Sequence, residues 1–182
     1  MLTKTIVRQE IISLLLAKTP KEYWCHIQFV HKIGRQLAKQ YKANPLVVEL
    51  GCLLHDIGRD HEVDGEPHSE ASVRIASKIL SKYHLDEKII ALTLACIKNH
   101  NSISTGKTIE EKIVNSADGA SKVLYHEAFM LLCKKLTYED KLAWGRKYLE
   151  KGYQQVKIGA VKKRLKPKYD FVKSVYSQID PS

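Results

Sequence analysis

Apolar residues return every three or four positions along almost the whole of this chain, a spacing that fits helices and little else. Ile6, Ile11, Ile12, Leu15 and Leu16 mark a first amphipathic helix that ends before Thr19-Pro20. Pro20 suits the first turn of a second helix, in which Trp24, Ile27, Val30, Leu37 and Ala38 recur up to about Tyr41. Asn44-Pro45 reads as an N-cap followed by proline at the first helical position. Val47, Val48, Leu50, Leu53 and Leu54 then make a nearly all-apolar helix that stops near Gly58 and must be buried on most sides. Residues 59–67 (RDHEVDGEP) form a charged loop with a turn at Asp64-Gly65. Pro67 opens a helix that runs to Leu80, Asp86 caps another that ends near His100, and Asn101 to Lys107 is a loop. Thr108 with Glu111 three residues later is a capping box, opening a helix through Val123. A long helix is predicted from Thr137 to roughly Leu165, broken by Pro167, with a last helix from Tyr169 to Ile179. No period-two run bounded by turns is present, so the expected fold class is all-α. The 182 residues suffice for one domain whose core needs neither disulfide nor structural metal.

Several function classes fall away early. No apolar run approaches the roughly 18 to 20 residues of a membrane span, and the first residues lack the pattern of a signal peptide. The expectation is a cytoplasmic protein with no membrane partner. Cys25, Cys52, Cys96 and Cys133 are widely spaced, with no C-x-x-C pair, and read as buried reduced thiols. The net charge of +10 is unevenly placed: residues 134–182 hold 13 Lys and Arg against 5 Asp and Glu. Residues 1–133 are therefore read as the main domain. Residues 134–182 are read as a basic helical extension packed on it, its charge either a solvated lysine-rich surface or a rim that attracts anions such as phosphate esters or nucleic acid. The aromatic residues there (Tyr138, Trp144, Tyr148, Tyr153, Tyr169, Phe171, Tyr176) look like helix packing rather than a base-stacking platform.

Against this background His55-Asp56 is out of place. The pair closes an apolar helix, where a buried carboxylate without a partner is costly. A metal ion removes that cost, and imidazole with carboxylate suits a first-row divalent ion. Gly58 lets the chain turn after the pair. His26 lies on the apolar stripe of the preceding helix, in register with Val30, Ile33 and Leu37, and points inward. His68 opens the helix after the acidic loop, His100 closes the next, and Asp118 sits mid-helix beside Val114 and Ala117.

Three stretches give this order a family likeness: H-x3-V-x7-A from His26 to Ala38, L-L-H-D-I-G from Leu53 to Gly58, and Ala117-Asp118 in a helix. Together they resemble the HD-domain metal-dependent phosphohydrolase superfamily over roughly residues 20–125. The resemblance implies an HD-domain-like helical bundle with additional C-terminal helices. It implies His26, His55, Asp56 and Asp118 as metal ligands, with His68 and His100 at positions where two-metal members carry further histidines. Such members tend to show a His-His pair where this chain reads His100-Asn101. The implied cofactor is one or two divalent ions (Mn, Fe, Co, Ni, Zn or Mg).

The chemistry expected of such a site is attack of metal-bound hydroxide on phosphorus in a nucleotide or related phosphate ester. Asp56 would orient the water, Arg59 would offset phosphoryl charge or pair with Asp60 or Glu62, and His61, Asp60 or Glu62 would pass a proton to the leaving oxygen. Lys98, Asn99 and Lys107 are candidate substrate contacts. The alternatives are a di-iron oxygenase of the same fold, a nucleic-acid-binding protein with a vestigial metal site, and a helical interaction protein in which the histidines are core. An oligomer built through the C-terminal helices is a further option.

Overall fold

A computed structural model describes residues 2–102, 106–135 and 137–179. Ile103 to Thr105 of the anticipated 101–107 loop lie outside them. The elements are α1 (Leu2–Lys18), α2 (Lys21–Gln40), α3 (Pro45–Leu54), α4 (His68–Leu80), α5 (Glu87–Asn99), α6 (Ile109–Leu124), α7 (His126–Phe129), a 3-10 turn at Met130–Leu132, α8 (Tyr138–Gln155) and α9 (Gly159–Ile179). The fold is all-α, with no strand among the described residues. Among them, no helix is long and apolar enough to cross a membrane.

The helix starts follow from local chemistry. The Asn44 side chain accepts from the Leu46 and Val47 amides at 3.1 and 3.4 Å, with Pro45 in the first helical position. The Asn44 amide donates to Glu110 Oε1 at 2.9 Å and so ties the start of α3 to that of α6. Asp86 caps α5, Thr137 caps α8, and Thr108 with Glu111 forms the capping box of α6.

Eight of the ten residues of α3 are buried, as its apolar run requires. The helix lies between two apolar clusters. One draws Ile11, Leu15, Ile27, Leu80 and Ile97 from α1, α2, α4 and α5 against Leu50, Leu53 and Leu54. The other packs Val47 and Val48 with Val30, Leu37, Val114 and Ala117, and continues into Leu149, Val161, Leu165, Tyr169 and Val172 of α8 and α9. The C-terminal helices therefore share a core with α2, α3 and α6. Cys52 and Cys96 are buried and all four thiols are free, but Cys25 and Cys133 are only half-buried. Burial raises the thiol pKa at both Cys52 and Cys96.

The anticipated 137–165 helix is in fact two. It ends at Gln155, and the chain turns through Val156 to Ile158 before α9 begins. The Ser116 hydroxyl accepts the Lys157 and Ile158 amides at 2.9 and 3.2 Å, which anchors the turn to α6. Val156 and Ile158 are themselves buried. Pro167 does not break α9 but lies inside it, on the exposed face. An interior proline forfeits a hydrogen bond and crowds the preceding turn, at a cost of about 3 kcal/mol. Val161 and Leu165 before it, and Tyr169, Val172 and Tyr176 after it, keep one buried stripe in register. That packing outweighs the local penalty.

Candidate metal centre

The candidate residues come from the ends of helices and from the middle of two. His55 is the C-cap of α3 and Asp56 the first residue beyond it; His100 is the C-cap of α5; His68 is the first residue of α4. His26 projects from α2 and Asp118 from α6, both buried. Gly58 allows the turn after Asp56 to seat against α4. A Cβ there would lie 2.2 Å from the Ser72 amide nitrogen, and the Gly58 amide donates to Ser72 Oγ at 3.0 Å. The six residues fall into two groups, His26 with His55 and Asp118, and Asp56 with His68 and His100. Within each group the ligand atoms lie within 4.8 Å of one another. His55 Nε2 stands 3.6 Å from Asp56 Oδ2, so the groups adjoin.

Their hydrogen bonds fix which nitrogen faces inward. His55 Nδ1 donates to the Cys52 carbonyl at 2.7 Å, and His100 Nδ1 to the Ile97 carbonyl at 2.7 Å. A carbonyl only accepts, so in each neutral ring Nε2 carries the lone pair. Ser121 Oγ donates to the Asp118 carbonyl, which leaves it to accept from His26 Nδ1 at 3.3 Å. His26 Nε2 and His55 Nε2 then face each other at 3.3 Å, as do His68 Nε2 and His100 Nε2. Lone pairs thus meet lone pairs and carboxylate oxygens in a buried space. Asp118 Oδ1 is buried without a hydrogen bond, 3.2 Å from His26 Nε2 and 4.0 Å from His55 Nε2. The unpaired Asp118 oxygen between the His26 and His55 rings fits a cation there, and the mixed imidazole and carboxylate donors of both groups fit a first-row divalent ion.

Protonation states agree with that fit. Burial pushes His55 down to about 4, against the pull of Asp56 and Asp118. Burial also pushes His68 down to about 4, against Asp56. For Asp56, burial alone would raise the carboxyl, but the His55 ring and the Arg59 guanidinium outweigh it and hold it well below the usual range. Asp118 is held low in the same way, with Lys122 and His26 opposing burial. The site therefore presents neutral His55 and His68 rings beside ionised Asp56 and Asp118 at neutral pH.

Other anticipated residues divide. Arg59 joins the site, through a fork onto Asp56 rather than onto Asp60 or Glu62: Nε to Oδ2 at 3.0 Å and Nη2 to Oδ1 at 3.1 Å. Asn101 also joins it, with Nδ2 3.2 Å from His68 Nε2. His61 does not line the cavity around the two groups; it is exposed on a neighbouring hollow, and its carbonyl accepts from Arg74. Lys98 pairs with Glu70 at 3.0 Å, Asn99 donates to Glu111 at 2.8 Å, and neither they nor Lys107 line the cavity.

Sequence reasoning missed what α8 contributes. Gln155 is fully buried, and its Nε2 donates to Asp118 Oδ2 at 2.7 Å and to the His100 carbonyl at 2.6 Å. It thereby touches both groups. Lys122 Nζ bonds Asp118 Oδ2 at 2.7 Å and Gln155 Oε1 at 3.0 Å. Oδ2 is thus occupied while Oδ1 turns inward. The reach of Gln155 depends on α6 and α8 touching: a Cβ on Gly119 would lie 2.5 Å from the Gly152 carbonyl oxygen. The cavity encloses about 540 Å³ and is also lined by Tyr23, Phe129, Trp144, Tyr148 and Lys151. The spacing from Asp118 to Lys122, one helical turn, was a readable signal; nothing local marks Gln155.

Two outcomes follow from this geometry. Replacing Gln155 with Leu frees Asp118 from one of its holders, and divalent-ion affinity measured by calorimetric titration is expected to fall about 10- to 100-fold; unchanged affinity would show that Gln155 only fills space. His31, half-buried on α2, is pushed down to about 4 like His55 and His68. Their unfolded values lie near 6.5, so between pH 6.5 and 4 the unfolded chain binds more protons and stability falls as pH falls. Urea midpoints are expected to drop steadily across that window, and a flat profile would contradict the assignment.

Comparison with known proteins agrees with the architecture. A family model for the HD domain matches residues 23–122. Ribonuclease Y of Thermoanaerobacter pseudethanolicus is 32% identical over 132 residues, covering 70% of this chain and 24% of that protein. The tRNA (cytidine(56)-2'-O)-methyltransferase of Picrophilus torridus is 31% identical over 111 residues, covering 51% of this chain and 29% of that protein. The chain thus spans about a quarter of the length of the curated relatives it matches. An HD-superfamily hydrolase from Bacillus thuringiensis superposes with TM-score 0.67 at 21% identity, covering 99% of this chain and 100% of that one. Bacillus subtilis YpgQ in complex with ADP superposes with TM-score 0.65 at 15% identity, covering 98% and 94%. At these identities the two structures speak to the fold. With more than half its length matched by the HD-domain model, this chain belongs to the HD domain family.

Proposed function

We propose that this protein is a metal-dependent phosphohydrolase acting on a nucleotide or a related phosphate ester. The observation that carries the reading is the pair of adjoining His and Asp groups, with inward Nε2 lone pairs, in one cavity with five cationic side chains: Arg59, Lys122, Lys134, Lys135 and Lys151. His26, His55 and Asp118 would hold one divalent ion, and Asp56, His68 and His100 a second. An ion so held lowers the pKa of its water toward neutrality and offsets charge on a phosphoryl group.

The rest falls to the chain itself. Arg59 fixes the orientation of Asp56 through its two-pronged contact and adds positive charge beside it. Lys122 and Gln155 hold Asp118 by one oxygen. Lys151 and Lys135 bring cations to the cavity for phosphate oxygens. Asp60 and Glu62 line the cavity and His61 does not, and Asp60 already faces Lys134 at 3.4 Å. Proton transfer to the leaving oxygen is therefore assigned to Glu62. Residues 134–182 serve as an extension completing the cavity, through Lys135, Trp144, Tyr148 and Lys151.

A nucleotide is favoured because the cavity joins aromatic rings to cations, and the ADP bound by YpgQ is in keeping with it. The named activity of Ribonuclease Y favours a second reading, in which the ester is a phosphodiester of RNA.

The test is product release from a panel of nucleotides and a short RNA, with Mn²⁺ and the other candidate ions supplied in turn. Turnover is expected in the wild type, abolished by chelator, and reduced at least about 100-fold in Asp56→Ala. Full turnover in Asp56→Ala, or none by the wild type with any ion, would end this reading.

A further inference from the structure

The cavity has a second chemical character besides its ligand groups. Phe129 of α7 lies edge-on to the His26 ring, with centroids 5.4 Å apart. Trp144 stacks on Phe129 at 5.2 Å and 17°, and Tyr148 lies 4.5 Å from Trp144. A continuous run of rings therefore leads from the candidate ligands onto α8. Trp144, Tyr148 and Lys151 stand four and three residues apart, on one face of that helix, and all three line the cavity. Tyr169 and Tyr176 are buried in the core, Tyr138 and Phe171 are exposed away from the cavity, and half-buried Tyr153 does not line it, whereas half-buried Trp144 and Tyr148 do. Packing between helices thus leaves part of each of these two rings in contact with the cavity.

The cations add a direction. Lys122 is committed to Asp118, and Arg59 to Asp56. Lys151 has no carboxylate partner among the described residues; its Nζ lies 5.9 Å from the Tyr148 ring centroid. Burial and the nearby Lys122 both lower its pKa, a strain that an anion would relieve. A flat aromatic surface next to an unpaired, half-buried ammonium matches a ligand that joins a planar ring to a phosphate.

We propose that α8 supplies the recognition wall of the site: a nucleobase packs against Trp144 and Tyr148, and Lys151 contacts a phosphate oxygen of the same nucleotide. This rests on the phosphohydrolase reading above and adds the residues that choose among phosphate esters. The base is held by an aromatic surface, which every base can use, so the wall selects nucleotides over base-free sugar phosphates rather than one base over another.

The experiment uses the full chain with metal present. The sequence has two tryptophans, Trp24 and Trp144, so Trp24→Phe leaves Trp144 as the sole reporter. AMP is expected to quench its fluorescence saturably and ribose 5-phosphate to leave it unchanged. In turnover, Trp144→Leu is expected to lower the ratio of kcat/KM for AMP over ribose 5-phosphate about 5- to 100-fold, mainly through KM for AMP, with Trp144→Phe restoring most of it. Lys151→Gln is expected to raise KM for both probes. Phe171→Ala, at a residue 62% exposed outside the cavity, is the control and leaves the ratio unchanged. Equal quenching by both probes, no quenching by AMP, or an equal loss on both probes in Trp144→Leu would overturn the wall. If the wild type hydrolyses neither probe nor any nucleotide, the phosphohydrolase reading fails, and the fluorescence titration still decides whether the wall binds a base.

Discussion

Four imidazole nitrogens and two carboxylates turned toward one another in a buried space are the constraint on which this structure depends. Rings whose Nδ1 atoms are already spent on Cys52, Ile97 and Ser121 turn their Nε2 lone pairs inward. In a low-dielectric interior such acceptors repel one another unless a cation lies among them. The helices meet here accordingly. Two of them end at the site, so that the same turn supplies the His55 or His100 ring and the carbonyl that orients it. A third begins there at His68, and α2 and α6 cross close enough for His26 to face Asp118.

The C-terminal helices complete this arrangement. The Gly119–Gly152 approach brings α8 against α6, and the Ser116 hydroxyl fixes the turn that follows. Between those two anchors Gln155 is carried into the interior, where it spans from Asp118 to the His100 carbonyl. The same helix places Lys151, Tyr148 and Trp144 on the cavity one, two and three turns earlier. A small residue at each backbone contact thus has consequences for the candidate centre that neither glycine touches.

Much of this was legible in the sequence because the signals were local. A cap such as Asn44-Pro45 or Thr108-Glu111 is read within four residues, and each is found where it was expected. His55-Asp56 stood out because an ionisable pair at the end of an apolar run needs a partner, and the six candidate ligands do converge. Non-local features were not legible. Gln155 lies 37 residues from Asp118 and resembles any helical glutamine until α6 and α8 are brought together. The 156–158 turn has no glycine or proline; it exists because Ser116, some 40 residues away, takes its amides. Pro167 misled for the converse reason, since a buried stripe on both sides of it outweighs its local cost. His61 was expected near the chemistry from its place in the acidic loop, but the Arg74 contact holds its backbone against α4 and its side chain faces another hollow.

The central claim, that these side chains are assembled to hold divalent cations, is tested most directly by anomalous diffraction at the manganese edge from crystals grown with Mn²⁺. Two peaks are expected, one among His26, His55 and Asp118 and one among Asp56, His68 and His100. A map at full Mn²⁺ loading with no peak at either place would contradict the account.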